Sequence, residues 1–148
     1  DVYGGQTTPS NFKLITFPLA QKFEEGIGRD IINFNDLGTS NFITASYTNG
    51  TYNLWNLEGA MKSGSLGDSN IDVIVSGSLQ GPSGTQNLNL SSEQLFSSGE
   101  ENLNLDITNA VSGVISNQIS DHGFLVAFSG SYEKDNKTYF VKRFASKI

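Results

Sequence analysis

Apolar residues occur in this chain only in short runs, and this limits the folds that are open to it. The longest run, Phe124 to Phe128, is five residues, whereas a membrane-spanning helix needs about 20. Between the runs lie segments rich in Gly, Ser, Asn and Thr, which are typical of turns. The sequence therefore predicts many short β-strands joined by polar turns, and no membrane partner.

Seven segments combine β-forming residues with alternating apolar positions, which is the pattern of half-buried strands. The first ends at Pro18, because proline removes a ladder donor. The clearest alternation runs from Asn102 to Ile107, with Leu103, Leu105 and Ile107 on one face. The predicted strands are Asn11–Phe17, Phe42–Tyr47, Tyr52–Leu57, Ile71–Ser76, Asn102–Ile107, His122–Ser131 and Thr138–Ala145.

Local signals predict the turns and one helix. Asn49-Gly50 is a strong signal for a tight hairpin turn. Ile107, Val111, Val114 and Ile115 fall on one helical face, which predicts a two-turn helix over Thr108–Ser116, capped by Thr108 or Asp106. The spacing in Ser91-Ser92-Glu93-Gln94 is that of a capping box and predicts a single helical turn.

The remaining segments complete the fold-class prediction. Ala60–Asn70 and Gly77–Gln86 are rich in Gly and Ser and are predicted to be functional loops. A chain of 148 residues suits one domain, residues 1–148. Short strands with polar turns and one helix predict an all-β, antiparallel β-sandwich that is jelly-roll-like, with one short helix.

Charge and cysteine content exclude several classes of function. The chain has nine Lys and Arg against fifteen Asp and Glu, and its net charge is −6. A nucleic-acid-binding protein needs clustered cations, so no nucleic-acid partner is expected. There is no cysteine, which removes thiolate zinc sites and cysteine nucleophiles.

Gly67-Asp68-Ser69-Asn70 resembles the nucleophile block of SGNH-type hydrolases, but its expected base is missing. Those enzymes pair the serine with a histidine that follows an aspartate by three positions. The single histidine is His122, and Ile119 lies three residues before it. A serine needs an oriented base to attack a substrate, so we predict no catalytic residues, no bound cofactor and no enzyme activity.

Two weaker patterns concern ligands. Glu24, Glu25, Asp30 and Asp36 form a local acidic group that could supply oxygen ligands to calcium, although the EF-hand spacing is absent. A solvated acidic loop is the favoured interpretation, so no metal site is predicted.

Tyr47, Tyr52 and Trp55 lie around the Asn49-Gly50 turn, with Asn53 and Asn56 nearby. Flat aromatic faces beside amides are compatible with glycan binding. The alternative, which we favour for Trp55, is burial in the core or at a subunit contact, because large aromatic side chains usually bury their area.

Several strings in the chain resemble a known family when they are taken in order. Phe17 to Asp30 contains Phe23-Glu24-Glu25-Gly26-Ile27-Gly28-Arg29-Asp30 and resembles the "F-x-E-G-x-G-R-D" core of DNRLRE-like sandwich domains, which occur in virion structural proteins of tailed phages, marine ones especially. Further resemblances to that family lie in Asp36–Ser46, Leu105–Val111, Gly123-Phe124, Phe128–Glu133 and Val141–Ser146.

The resemblance implies a phage virion protein that acts without catalysis as a capsid decoration, fibre or tail component. Its partners would be other virion subunits and further copies of itself, and it would be assembled into the virion in the host cytoplasm. Relative to the family pattern, an extra strand is expected before Asp1, and the chain is expected to continue beyond the equivalent of Ser146. The chain would then be part of a longer polypeptide, or a neighbouring subunit would complete the sandwich. The alternative is an extracellular carbohydrate-binding β-sandwich module that binds a glycan.

Overall fold

The computed structural model describes residues 10–25 and 39–129. Within them the chain forms eight strands and one helix. The elements are β1 (Phe12–Pro18), β2 (Thr44–Thr48), β3 (Thr51–Leu54), β4 (Ser63–Ser65), β5 (Val73–Gly81), β6 (Gly84–Asn89), β7 (Ser92–Phe96), α1 (Thr108–Ile115) and β8 (Phe124–Phe128).

The described strands form three small sheets with the orders β7-β1-β8, β2-β3 and β4-β5-β6. All neighbouring pairs are antiparallel except β4 and β5, which run parallel. The two three-stranded sheets meet where Leu19 bridges to Val73. The predicted all-β fold with antiparallel sheets and one short helix is confirmed, with the β4–β5 pair as its exception.

Three apolar clusters hold the sheets together. The first packs α1 and Ile119 against β5, with Ile74 and Leu79 buried. The second joins the two three-stranded sheets through Phe17, Leu19 and Val73. The third lies on the β7-β1-β8 sheet, where the rings of Phe12 and Phe96 stack with centroids 4.9 Å apart and an edge of Phe128 closes the group.

Helix α1 begins and ends within one residue of the predicted span. The predicted cap by Thr108 or Asp106 is wrong, because the N-cap residue is Ile107 and no side chain makes a capping hydrogen bond. The carboxylate of Asp106, one residue earlier, accepts the backbone N–H of Thr108 at 3.0 Å. Hydrogen bonds from the Thr108 hydroxyl and backbone hold the pKa of Asp106 below its ordinary value. Gly113 lets the helix lie close to β5 and to Ile119, because a Cβ there would come within 3.1 Å of the Leu79 side chain and 2.6 Å of the Ile119 side chain.

The predicted loop Gly77–Gln86 is wrong, because it is a hairpin of β5 and β6 with Pro82 and Ser83 at the turn. Gly77 is not a loop glycine. A Cβ at this position would lie 2.5 Å from Cβ of Leu66, so the glycine makes room for close packing. The predicted loop Ala60–Asn70 likewise contains a strand, β4, which pairs with β5.

Two other predictions in this part of the chain are wrong. Ser91–Gln94 is not a helical turn, because most of it belongs to β7, which pairs with β1; an isolated helical turn is costly to nucleate and strand pairing replaces it. Asn102–Ile107 is not a strand. The amide side chain of Gln94 bonds its backbone at Asn102 and Asn104, where a neighbouring strand would otherwise pair.

The other predicted strands are recovered in the described residues with changed ends, such as β3, which stops at Leu54 instead of Leu57. The strand predicted for His122–Ser131 corresponds to β8, and its last two residues lie outside the described part. The strand predicted for Thr138–Ala145 also lies outside the described residues. Among the described residues, no helix is long and apolar enough to cross a membrane.

Candidate functional site: an exposed hairpin

The candidate site is the β2–β3 hairpin, because large apolar side chains on and beside it are exposed to solvent. All four residues of β3 are exposed, so both faces of this strand meet solvent. Large apolar side chains on and beside the hairpin are 42–63% exposed. We call them the hairpin surface: Phe42, Ile43, Tyr47, Tyr52, Leu54 and Leu57.

The turn of the hairpin has the backbone that its sequence predicts. Asn49 and Gly50 both have positive φ angles, 52° and 82°, which is the conformation of a type I′ turn. The register runs from Thr48↔Thr51 to Tyr47↔Tyr52. A bulge between Thr44 and Ser46 then shifts the pairing near the base.

The two tyrosines are a cross-strand pair at the tip. Their ring centroids are 4.6 Å apart and the planes are tilted by 46°. On the other face, Asn53 Nδ2 donates to Ser46 Oγ at 2.9 Å. One face of the ribbon is therefore aromatic and the other is amide and hydroxyl.

Asn41 and Trp55 fix the base of the hairpin. The Asn41 side-chain oxygen accepts the backbone N–H groups of Ile43 and Thr44, each at 2.9 Å. Trp55 Nε1 donates to the Asn41 carbonyl at 2.8 Å. These bonds hold the two ends of the hairpin segment against each other.

Asp72 ties the same base to the β4-β5-β6 sheet. Its side chain is fully buried, and both of its oxygens accept hydrogen bonds. The donors are Gln21 Nε2, Asn56 N, Asn56 Nδ2, Leu57 N and Lys62 N, at 2.7–3.0 Å. A buried carboxylate needs such partners, and here they order the chain that follows the hairpin.

Asp72 was missed by sequence reasoning. It lies in an apolar run with Ile71, Val73 and Ile74, where a charge is out of place. That interruption was the signal that could have found it, because a carboxylate inside an apolar strand must be satisfied by polar partners.

The structure brings only two of the three predicted glycan residues together. Tyr47 and Tyr52 pair at the exposed tip, whereas Trp55 is half-buried and packs against the cluster around Phe17 and Val73. The indole N–H is already committed to Asn41.

Of the four acidic residues considered as calcium ligands, the structure describes two. Glu24 and Glu25 are exposed, and Asp30 and Asp36 lie outside the described part. The Glu24 backbone is bound on both sides, donating to Ala45 and accepting from Ser40. In residues 10–25 and 39–129, no three His, Cys, Asp or Glu side chains lie close enough together to hold a metal ion.

Ser69 of the hydrolase-like block lies in an exposed turn between β4 and β5. The neighbouring carboxylate of Asp68 accepts the backbone N–H of Ser65 at 2.7 Å, which is the role of a turn residue. His122 is half-buried just before β8.

Two open clefts flank α1. One, of about 250 Å³, lies at the start of the helix and is lined by Asn89, Ser92 and Asp106 among others. The other, of about 240 Å³, lies between the helix and the β5–β6 hairpin, and its polar lining includes Gln86, Ser112 and Gln118. Asp106 in the first cleft is engaged by Thr108, and Gln118 in the second is engaged by Gln80.

Comparison of the chain with known protein families, curated proteins and solved structures found no match.

Proposed function

We propose that this chain is a non-enzymatic structural subunit of a tailed-phage virion, as a capsid decoration, fibre or tail component, which acts through protein–protein contacts. The observation that carries the proposal is the hairpin surface, six large apolar side chains left exposed on and beside one hairpin. Large apolar side chains that stay exposed around one hairpin favour an interaction site there.

The build of the hairpin supports a contact role. A two-stranded hairpin alone is marginally stable in water, and this one is held at its base by Asn41, Trp55 and Asp72. The fixed base presents the tip in one orientation. A partner that covers the tip would therefore bind it with little loss of backbone freedom.

The resemblance to virion sandwich domains supports a phage virion as the assembly to which the chain belongs. Of the segments that carry it, Leu105–Val111 forms the approach and first turns of α1, and Gly123-Phe124 opens β8. Both segments belong to the scaffold and not to the hairpin. A further segment of the resemblance, Asp36–Ser46, reaches into β2 and contains Phe42 and Ile43 of the hairpin surface, so the resemblance covers both the framework and part of the proposed contact surface.

Particle incorporation tests this function. In phage particles assembled from the genome that encodes the chain, quantitative mass spectrometry should find it in a fixed number of copies. Phe42→Ser with Leu57→Ser should reduce that number at least about fivefold, because the contact loses two apolar anchors of ~1.5–3 kcal/mol each.

The matched control is Ile115→Ser, which alters a large apolar side chain on α1 that is 77% exposed and lies outside the hairpin. It should be incorporated like the wild type. A chain that is absent from purified particles, or equal incorporation of both variants, would refute the proposal.

A carbohydrate-binding function is the second candidate, and the exposed Tyr47–Tyr52 pair favours it. The two tyrosine rings lie on one face of the hairpin and could contact one sugar unit outside the cell. Glycan-array binding that is lost in Tyr52→Ala and kept in Leu95→Ala would support this candidate over the first. Leu95 is a suitable control because it is similarly exposed on β7.

A further inference from the structure

We propose that the partner of the hairpin surface is a second copy of the same chain, joined by antiparallel pairing of the two β3 strands about a twofold axis at Tyr52. This inference rests on the proposed contact role of the hairpin. It makes a four-stranded sheet, β2-β3 of one copy followed by β3-β2 of the other.

Within residues 10–25 and 39–129, no strand pairs with the outer edge of β3. Antiparallel pairs alternate between those that exchange hydrogen bonds and those whose N–H and C=O groups point outward. Thr48↔Thr51 closes the two-residue turn, so the next pair, Tyr47↔Tyr52, is of the outward kind. Gln21 reaches the edge at the Leu54 carbonyl, and the outward groups of Tyr52 have no partner among the described residues.

Pairing about Tyr52 satisfies these groups reciprocally. The N–H of Tyr52 would donate to the carbonyl of the second copy's Tyr52, and the reverse bond would form by symmetry. The tyrosine face would then carry four rings in a row, two from each hairpin. On the opposite face, Thr51 of one copy would stand across from Asn53 of the other.

Charge favours a second copy as the occupant. The chain carries a net charge of −6, yet residues 37–57 contain no Asp, Glu, Lys, Arg or His. Two copies can therefore approach through the hairpin without facing like charges, while the rest of the surface repels. Soluble proteins usually protect an exposed strand edge with charge, commonly lysine, or with proline, and β3 has neither.

Sedimentation equilibrium of the whole chain tests the inference. The wild type should show a reversible monomer–dimer equilibrium. Tyr52→Lys should raise the dimer Kd at least about tenfold, since the twofold axis sets the two lysines directly opposite each other. An equimolar mixture of Tyr52→Lys and Tyr52→Glu should restore dimers to near the wild-type Kd.

Val126→Lys is the control, because Val126 is 46% exposed on β8, which belongs to a different sheet from the hairpin. It should dimerise like the wild type. Circular dichroism of every variant establishes that the fold is kept.

Cysteine pairing tests the register even if the charged variants fail to fold. The chain has no native cysteine, so introduced thiols are the only ones. Thr51→Cys mixed with Asn53→Cys should form disulfide-linked heterodimers under mild oxidation, because opposed residues of an outward pair lie about 4.5–5.5 Å apart. Each variant alone should cross-link far less.

A wild-type chain that stays monomeric at high concentration overturns the inference, as does equal cross-linking in all cysteine combinations. Neither result affects the outcome of the particle-incorporation experiment, so the two proposals can fail independently. Incorporation that depends on Phe42 and Leu57 in a monomeric chain would mean that the hairpin docks on a different virion protein.

Discussion

The molecule contains two hairpins with opposite surroundings. The β5–β6 hairpin shares its sheet with β4 and packs under α1, and Leu79 on its inner face is buried. The β2–β3 hairpin forms a sheet of its own, and all of β3 is exposed. Both have tight turns, so the turn does not decide the difference.

Their edges differ more than their turns. The central strand β5 extends beyond β4, whose pairing with it ends at Ser76, so the far part of β5 has a free edge on that side. There the Gln118 side chain accepts the N–H of Gln80 and donates to its carbonyl, and so occupies the positions that a further strand would take. On β3, the outward groups at Tyr52 have no such cap among the described residues. Under the proposal made above, the capped edge belongs to the scaffold and the uncapped edge of β3 pairs with a second copy.

The largest expected effect breaks the link between the two regions. Asp72→Asn should lower the free energy of unfolding by about 3–5 kcal/mol, because an amide NH₂ would face N–H donors that now bond a carboxylate. Urea unfolding measures this loss. Asp68→Asn is the control, since that exposed carboxylate accepts one backbone N–H, and it should cost less than about 1 kcal/mol. Similar losses in both variants would contradict the anchoring role of Asp72.

A smaller effect is expected where α1 packs on the scaffold hairpin. Gly113→Ala would place a methyl group within 2.6 Å of Ile119 and 3.1 Å of Leu79. Overpacking costs about 1–3 kcal/mol and the helix preference for alanine returns up to ~1 kcal/mol, so a net loss of about 1–2 kcal/mol is expected in thermal or urea unfolding. The neighbouring exposed Ser112→Ala should be neutral or slightly stabilising. A gain of stability in Gly113→Ala would show that the helix lies farther from β5.

Removing the cap from β5 sharpens the comparison of edges. Gln118→Ala should lower the free energy of unfolding by about 1 kcal/mol, because the N–H and C=O of Gln80 would then bond water instead of the Gln118 side chain. It should also speed hydrogen exchange at the Gln80 amide, measured by NMR, without changing exchange at Val73. Unchanged exchange at Gln80 would mean that the side chain does not protect the edge.

The smallest effect concerns the loop after β7. The carboxylate of Glu101 accepts hydrogen bonds, first from the backbone N–H of Ser98 and then from its own backbone N–H and the Ser97 hydroxyl. These bonds stabilise the ionised form and lower the pKa of Glu101 from 4.5 to about 2. A lowered pKa means that the ionised form stabilises the fold above pH 4.5, and that this contribution disappears as the pH falls through about 2. Stability curves of the wild type and Glu101→Gln should therefore differ above pH 4.5 and converge near pH 2. Curves that stay parallel over this range would contradict the assignment.

Local patterns were sufficient for the elements whose causes are local. The Asn49-Gly50 turn and the apolar face of α1 depend on residues close together in the chain, and both were predicted. The predictions were wrong for elements whose structure depends on a side chain distant in the sequence. Glycine at position 77 indicates a loop until Leu66 is seen to pack on it, and the alternation in Asn102–Ile107 indicates a strand until Gln94 is seen to bond its backbone.

The candidate site divides in the same way. The tyrosine pair followed from two positions flanking a known turn. The anchoring by Asp72 joins residues between 10 and 51 positions apart, such as Lys62 and Gln21, and no local pattern specifies such partners. The open edge of β3 also depends on which strands the whole fold brings to it.

Hydrogen exchange at two amides tests the central claim most directly. Tyr52 lies on the open edge and Gln80 on the capped one, so in dilute solution the Tyr52 amide should exchange much faster than that of Gln80. As protein concentration rises, protection at Tyr52 should increase with the dimer fraction, while protection at Gln80 stays constant. Tyr52 protected as strongly as Gln80 in the monomer, or unprotected at every concentration, would contradict the account.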